Sequence, residues 1–184
     1  FARLAHSAKL KATTVTVGKA WVRNDARVDL DAEGAHANLD GAYLAFGRCH
    51  VDNHTHISHN APECTSRERY KGVLGDRGHA VFHGRIVVQP NAQKTDSEQS
   101  NQNLLLSADA QIDTKPQLEI YADDVKCAHG ATVGQMDEAA LFYLVSRGVG
   151  RETARRMLTQ AFAAEILETV TPLALQSYLA SHVS

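Results

Sequence analysis

The sequence predicts a mainly β chain with a short helical tail, and three observations carry that prediction. Before residue 134 the apolar residues come in short β-rich clusters: TTVTVG, RVDL, AYLAFG, HAVFHG, RIVVQP, LLLS and LEIYA. Gly, Asp, Asn or Pro separates most of them, as it does short strands. Beyond Gly134 the apolar spacing lengthens to three and four, the period of amphipathic helices. The Asn-Gly hairpin turn is absent, which counts against a simple meander. Many short strands fit a sandwich, a barrel or a solenoid. HGRIVVQ (83–89) and HGATVGQ (129–135) echo each other, as stacked rungs would. On residues alone the solenoid and the sandwich stay level.

The tail reads as three helices. In MDEAALFYLVSRG, Asp137 is placed to cap a first helix, Glu138 lies in its first turn, and Arg147-Gly148 ends it. In RETARRMLTQAFAAEILETV, Ala154, Leu158, Ala161, Phe162 and Ile166 share one face. Thr171-Pro172 then starts a third helix running through Leu175, Tyr178 and Leu179. Such helices must bury their apolar faces on each other, on the β part or on a partner. The plainest expectation is a cap on the end of a solenoid.

Composition excludes several function classes. The chain has 184 residues, 43% hydrophobic and 22% charged, as one soluble globular domain requires. A formal charge of −2 gives no broad attraction to nucleic acid or to an anionic membrane. No apolar run approaches the ~20 residues that span a bilayer. The opening FARLAHSAKL lacks the continuous apolar core of a signal peptide and an initiator Met, so a fragment lacking its N-terminal part is expected. Cys49, Cys64 and Cys127 are an odd, widely spaced set, which points to reduced thiols in a cytoplasmic setting.

Two groups of residues could carry chemistry. Histidine is unusually frequent, and GRCHVDNHTHISHNAPEC holds His50, His54, His56 and His59. A His54-x-His56 pair puts two rings on one strand face, and Glu63 follows, a near miss to the cupin metal motif. That pattern allows a histidine-cluster, cupin-like metalloenzyme as an alternative, against a rung of hydrogen-bonded or solvated rings. Cys127 and His129 form the second group. At i and i+2 on a strand they share a face, roughly 7 Å apart, too far for a direct hydrogen bond and suited to sharing a metal or cluster. A buried cysteine acting as a small hydrophobe is the plainer fate. No phosphate-binding glycine loop is present.

Long stretches also resemble a known family. YKGVLGDRGHAVFHGRIVVQPNAQKTDSEQSNQNLLLS and AQIDTKPQLEIYADDVKCAHGATVGQMDEAALFYLVSRG are similar to the SufB/SufD scaffold family of SUF iron–sulfur cluster assembly. The likeness runs from about Asn53 to near the C-terminus. Within the family the SufD branch fits better. SNQNLLLS lacks the cysteine of the SufB Cys-Asp-Ser-Leu-Leu stretch, and CAHGAT stands where SufB has Glu-His-Glu-Ala-Thr.

The resemblance implies a right-handed parallel β-helix over residues 1–134 and a C-terminal helical domain over 135–184. It implies a non-catalytic scaffold in a complex with SufB at the β-helix end and with two copies of the ATPase SufC on the helices. Leu141, Phe142, Tyr143, Arg147 and Phe162 are the expected SufC-docking residues. His129, with Cys127 beside it, is the expected cluster-assembly residue and metal ligand. The nascent Fe–S cluster would be transient at the SufB interface, with none on the isolated chain. An open β-helix end also allows a homodimer of the isolated chain.

Overall fold

In the computed structural model, which describes residues 1–18, 20–170 and 173–180, the β part is a parallel solenoid. One sheet contains β1 (Ala2–Leu4), β3 (Trp21–Leu30), β5 (His50–His59), β7 (His79–Val88) and β9 (Gln111–Ile120), in that order. The other contains β2 (Lys9–Gly18), β4 (His36–Ala45), β6 (Thr65–Leu74), β8 (Asp96–Leu105) and β10 (Lys126–Gln135). Every pairing is parallel, which rules out the antiparallel sandwich. The chain alternates between the sheets, so two strands make one coil and each coil stacks on the last.

The clusters seen in the sequence are pieces of longer strands. From β2 onward each strand has ten residues, and HAVFHG and RIVVQP are mostly the two halves of β7. The glycines between such halves do not break the strands. They leave room for interior rings: a Cβ on Gly41 would come within 2.2 Å of the Tyr70 ring, and one on Gly84 within 2.8 Å of Phe82. The HGRIVVQ/HGATVGQ echo is not a rung repeat. It falls on β7 and β10, in different sheets, and His83 is the fifth residue of its strand while His129 is the fourth. The true repeat stacks His50 on His79 and His54 on His83.

Alternate residues of each strand point inward, and these build the core: Val51, Ile57, Ala80, Phe82, Ile86 and their stacked partners. The corners are fixed by left-handed backbone at Ser7, Gly34, Glu63 and Lys94. Each of these directs its N–H to the next coil: Ser7 to Glu33 O, Gly34 to Pro62 O, Glu63 to Gln93 O, Lys94 to Asp124 O. The backbone groups at the turns are thus satisfied between coils.

Three helices follow: α1 (Glu138–Ser146), α2 (Arg151–Leu167) and α3 (Leu173–Ala180). Asp137 caps α1, its carboxylate accepting from the N–H groups of Ala139 and Ala140. Gly148, at φ 87°, ends it, with Val149 N–H bonded to Leu144 O and Gly148 N–H to Val145 O. The α2 stripe is rotated from the expected one. Ala154, Thr159, Ala163, Ile166 and Leu167 are buried and Ala161 is exposed. Thr159 tolerates the inner face because its hydroxyl donates to Arg155 O at 2.9 Å. Thr171 and Pro172, and the side chains of Leu175, Tyr178 and Leu179, lie outside what is described.

The helices do not cap the solenoid. Ala163, Ile166, Leu167 and Val170 pack on Ala42, Leu44 and Val73, on the outer flank of the second sheet. Lys71 Nζ adds an ion pair to Glu165 at 2.5 Å and a bond to Phe162 O at 3.2 Å. The last coil, β9 and β10, is left open, and β10 is exposed along almost its whole length.

Candidate functional site

The open end carries Cys127 and His129. Register places Cys127 beside Ser97 and His129 beside Gln99, and both of those partners are buried inside the solenoid. Cys127 and His129 therefore continue the inward face, as their i, i+2 spacing predicts. With no further strand beyond β10 among the described residues, that inward face is also a surface. His129 is exposed and Cys127 half-buried. Burial pushes the Cys127 thiol above its ordinary range, a backbone hydrogen bond at Ser97 offsets part of that, and the Asp96 carboxylate adds to it. Lys126 points to the opposite side of the strand. Val133 and, at the end of β9, Ile120 and Tyr121 add exposed apolar surface.

Behind this end the interior becomes polar. Along the second sheet one inward column reads Ala12, Leu39, Glu68, Gln99, His129. Its neighbour reads Leu10, Ala37, Ser66, Ser97, Cys127. Gln99 Nε2 donates to Glu68 Oε2 at 2.7 Å, and both side chains are fully buried. Burial pushes the Glu68 carboxyl up to about 7, partly offset by hydrogen bonding from Gln99 and Thr55. Ser66 links Ser97 at 2.8 Å to His59 Nε2 at 2.9 Å. Burial pushes His59 down to about 4, so its ring is neutral near pH 7. Asn101, Asn103 and Tyr43 bond to one another, and Thr114 of β9 donates to Asn101 Oδ1 at 2.8 Å. The sequence reading missed Glu68 and Gln99. The available signal was the unbroken polar run SEQSNQN, a buried strand whose alternate residues are Ser97, Gln99, Asn101 and Asn103.

Of the histidine cluster, His59 points into the interior, whereas His54 and His56 lie elsewhere, on the outer face of the first sheet. A groove of about 470 Å³ is lined there by His54, His56, His83, Arg27, Arg85 and Phe1, among others. His54 Nε2 sits 2.8 Å from Asp52 Oδ1 and meets the His83 ring edge to face at 5.2 Å. His56 bonds Ser58, and its pKa is lowered by burial and then by the Arg27 and Arg85 charges. Glu63 stands at a corner with left-handed backbone, outside the groove lining. Among the described residues no three His, Cys, Asp or Glu side chains converge as a metal site.

The five expected docking residues divide. Leu141 is fully buried and Phe162 packs against the helix–sheet core, with Lys71 Nζ 4.9 Å from its ring centre. Phe142 and Tyr143 are 73% and 53% exposed, and the Arg147 guanidinium lies 3.6 Å over the Tyr143 ring. Val145, Met157 and Leu173 are further exposed apolar side chains on the helices. No described helix is long and apolar enough to cross a membrane.

Comparison with known proteins gives one consistent family. Residues 1–162 match the SUF system FeS cluster assembly, SufBD core domain family, so the match includes the first 50 residues, where no motif was legible. The chain is 41% identical over 167 residues to the iron–sulfur cluster assembly protein SufD of Escherichia coli (strain K12), covering 91% of this chain and 40% of that protein. It is 37% identical over 170 residues to an iron–sulfur cluster assembly SufBD family protein of Synechocystis, covering 92% and 38%. Against the chloroplastic protein ABCI7 of Arabidopsis thaliana it is 32% identical over 184 residues, covering 100% and 39%. The chain thus spans about two fifths of the length of these relatives.

Proposed function

Because the chain belongs to the SufBD core family, we propose that it acts as a non-catalytic scaffold in iron–sulfur cluster assembly, in the cytoplasm, contributing half of an assembly site at the open end of its solenoid. The observation that carries this reading is the ending of two inward columns in Cys127 and His129 on an exposed edge strand. An unpaired strand edge is a template for another chain. In this reading the edge pairs with the related subunit SufB, and the nascent cluster is the cargo formed between them. His129 offers iron a neutral imidazole nitrogen. Cys127, a raised-pKa thiol while the end is open, becomes a useful soft ligand only where iron or a nearby cation favours its thiolate. Val133, Ile120 and Tyr121 supply apolar contact around the pair.

The direct test is complementation of a cell lacking SufD by the full-length protein carrying His129→Ala. Loss of cluster-enzyme activity with normal protein abundance is expected. Full rescue rejects the half-site.

Residues 135–184 serve in this reading as the domain that docks the ATPase SufC. Phe142, Tyr143 and Arg147 are the contact candidates, because they are exposed apolar or cationic groups on one short helix. Leu141 is instead fully buried, and Phe162 packs against the core that holds the helices on the solenoid. A Phe142→Ala, Tyr143→Ala double variant is expected to weaken SufC binding at least tenfold with an unchanged melting temperature, since aromatic anchors dominate interfaces. Unaltered binding in a titration of purified SufC removes this surface from the docking site.

A further inference from the structure

We propose that Gln99 is a positioning residue for His129: its Oε1 accepts an N–H of the imidazole, and Glu68 behind it fixes which way the amide faces. The inference rests on the half-site reading of His129 and adds the residues that aim it.

Three consecutive coils place Glu68, Gln99 and His129 in one column. Neighbouring parallel strands lie roughly 4.8 Å apart, so side chains in such a column touch their successors. Gln99 Nε2 already donates to Glu68 Oε2 at 2.7 Å. Once ionised, above about pH 7, the Glu68 carboxylate accepts only from the NH₂ side of the amide, so this bond then sets the amide orientation and leaves Oε1 for the next position. That Oε1 is buried and has no hydrogen-bond partner among the described residues.

Two donors near the column are committed elsewhere, and the unpartnered Asn53 Nδ2 and the Thr55 hydroxyl belong to the facing sheet rather than to the column. Asn101 Nδ2 serves the Tyr43 hydroxyl and Tyr70 O, and the Thr114 hydroxyl serves Asn101 Oδ1. Gln99 is also wedged sideways, since a Cβ on Gly84 would lie 2.4 Å from its Nε2. The residue next in line with a donor to give is His129. On the open end its ring stands in water. Covering that end presses the ring back onto the column and removes competing water.

The consequence is chemical. The ring nitrogen facing Gln99 carries the proton, so the other presents its lone pair outward. Metal-ligating histidines are held in this way by an acceptor behind them, and loss of that acceptor costs roughly 10–100-fold in metal affinity or activity. Glu68 thus acts two coils away from the surface, through the amide, with no contact to the cargo.

The test uses ¹⁵N-histidine spectra of the assembled full-length complex, in which long-range couplings report the tautomer, together with cluster yield on the same complex. Wild type is expected to show one dominant His129 tautomer, and Gln99→Met a mixture. Cluster yield in Gln99→Met should fall about tenfold. Gln99→Glu keeps an acceptor oxygen and should stay within about threefold of wild type and retain the tautomer. An unchanged tautomer in Gln99→Met overturns the proposal. So does equal loss in both variants in step with their melting temperatures, the signature of packing alone. If Gln99→Met does not fold, Glu68→Gln preserves the volume and frees the amide to turn. An unchanged His129 tautomer in that variant overturns the role given to Glu68. Full cluster yield in His129→Ala, with the tautomer still responding to Gln99, rejects the half-site and leaves the contact standing.

Discussion

The middle coils and the last coil share one geometry and have opposite fates. In β7 the residues alternate between half-buried and buried, and its inward side chains fill the core. β10 has the same length and the same parallel register, but among the described residues no strand lies beyond it. Its inward face is surface. A solenoid has no separate binding layer at its end, because the next cross-section of its own interior is what a partner meets. The nature of that cross-section therefore matters. Here it shifts from Ala12 and Leu39 to Glu68, Gln99 and His129 along one column, and from Leu10 and Ala37 to Ser66, Ser97 and Cys127 along the next.

The sharpest way to break this comparison is to shorten one apolar side chain in each region. Phe82 is fully buried and stacks at a tilt on Tyr70, with ring centroids 5.1 Å apart. Phe82→Ala is expected to cost about 3–5 kcal/mol, through lost burial and the cavity left behind. Val133 faces the same way on the last coil but is 50% exposed. Val133→Ala should change the stability of the isolated chain by less than about 0.5 kcal/mol. Urea unfolding of both variants measures the difference. Comparable losses would mean that the last coil is core, and the open-end description would be wrong.

The two regions also differ in how far the sequence disclosed them. The helix signals were local and legible: Asp137, Gly148 and the stop between α1 and α2 act over a few residues. The Cys127/His129 pairing on one face followed from period two alone. The solenoid was only half legible, because interior glycines such as Gly41 and Gly84 imitate strand ends when read along the chain. Their purpose appears only when Tyr70 and Phe82, from other strands, are placed against them. β8 was hidden for a different reason. A strand whose inward residues are Ser97, Gln99, Asn101 and Asn103 has no apolar alternation to detect, and its burial depends on partners supplied by other coils. Where the helices sit was likewise beyond the sequence, since an apolar stripe fits an end or a flank equally well. Val15, Ala42, Leu44 and Val73 on the outside of the second sheet decide for the flank.

A smaller effect sharpens the comparison through pH, because the polar interior behind the open end holds two titratable groups shifted in opposite directions. Glu68 is pushed from the ordinary 4.5 up to about 7. Between those values the folded chain keeps a proton that the unfolded chain has released, so this group's contribution to stability falls as pH rises through the window. His59 is pushed from 6.5 down to about 4. Between those values the unfolded chain holds the extra proton, so stability rises with pH there. The windows overlap from 4.5 to 6.5, where the two slopes oppose each other and the wild-type profile should be nearly level, before Glu68 alone lowers it towards pH 7. Glu68→Gln removes one slope. Its stability should climb from pH 4 to pH 6.5 and then hold, and its advantage over wild type should widen by up to about 3 kcal/mol between pH 4 and pH 8. Glu119, on the outward face of β9, provides the contrast. Arg85 holds its carboxyl below the usual range through paired hydrogen bonds of 2.8 Å, but on a solvated face. Salt screens such pairs, so Glu119→Gln in 0.5 M salt should leave the profile as in wild type. Thermal unfolding across pH distinguishes the cases. Parallel wild-type and Glu68→Gln profiles would mean that Glu68 titrates as an ordinary exposed acid, and the dry polar interior behind His129 would have to be abandoned.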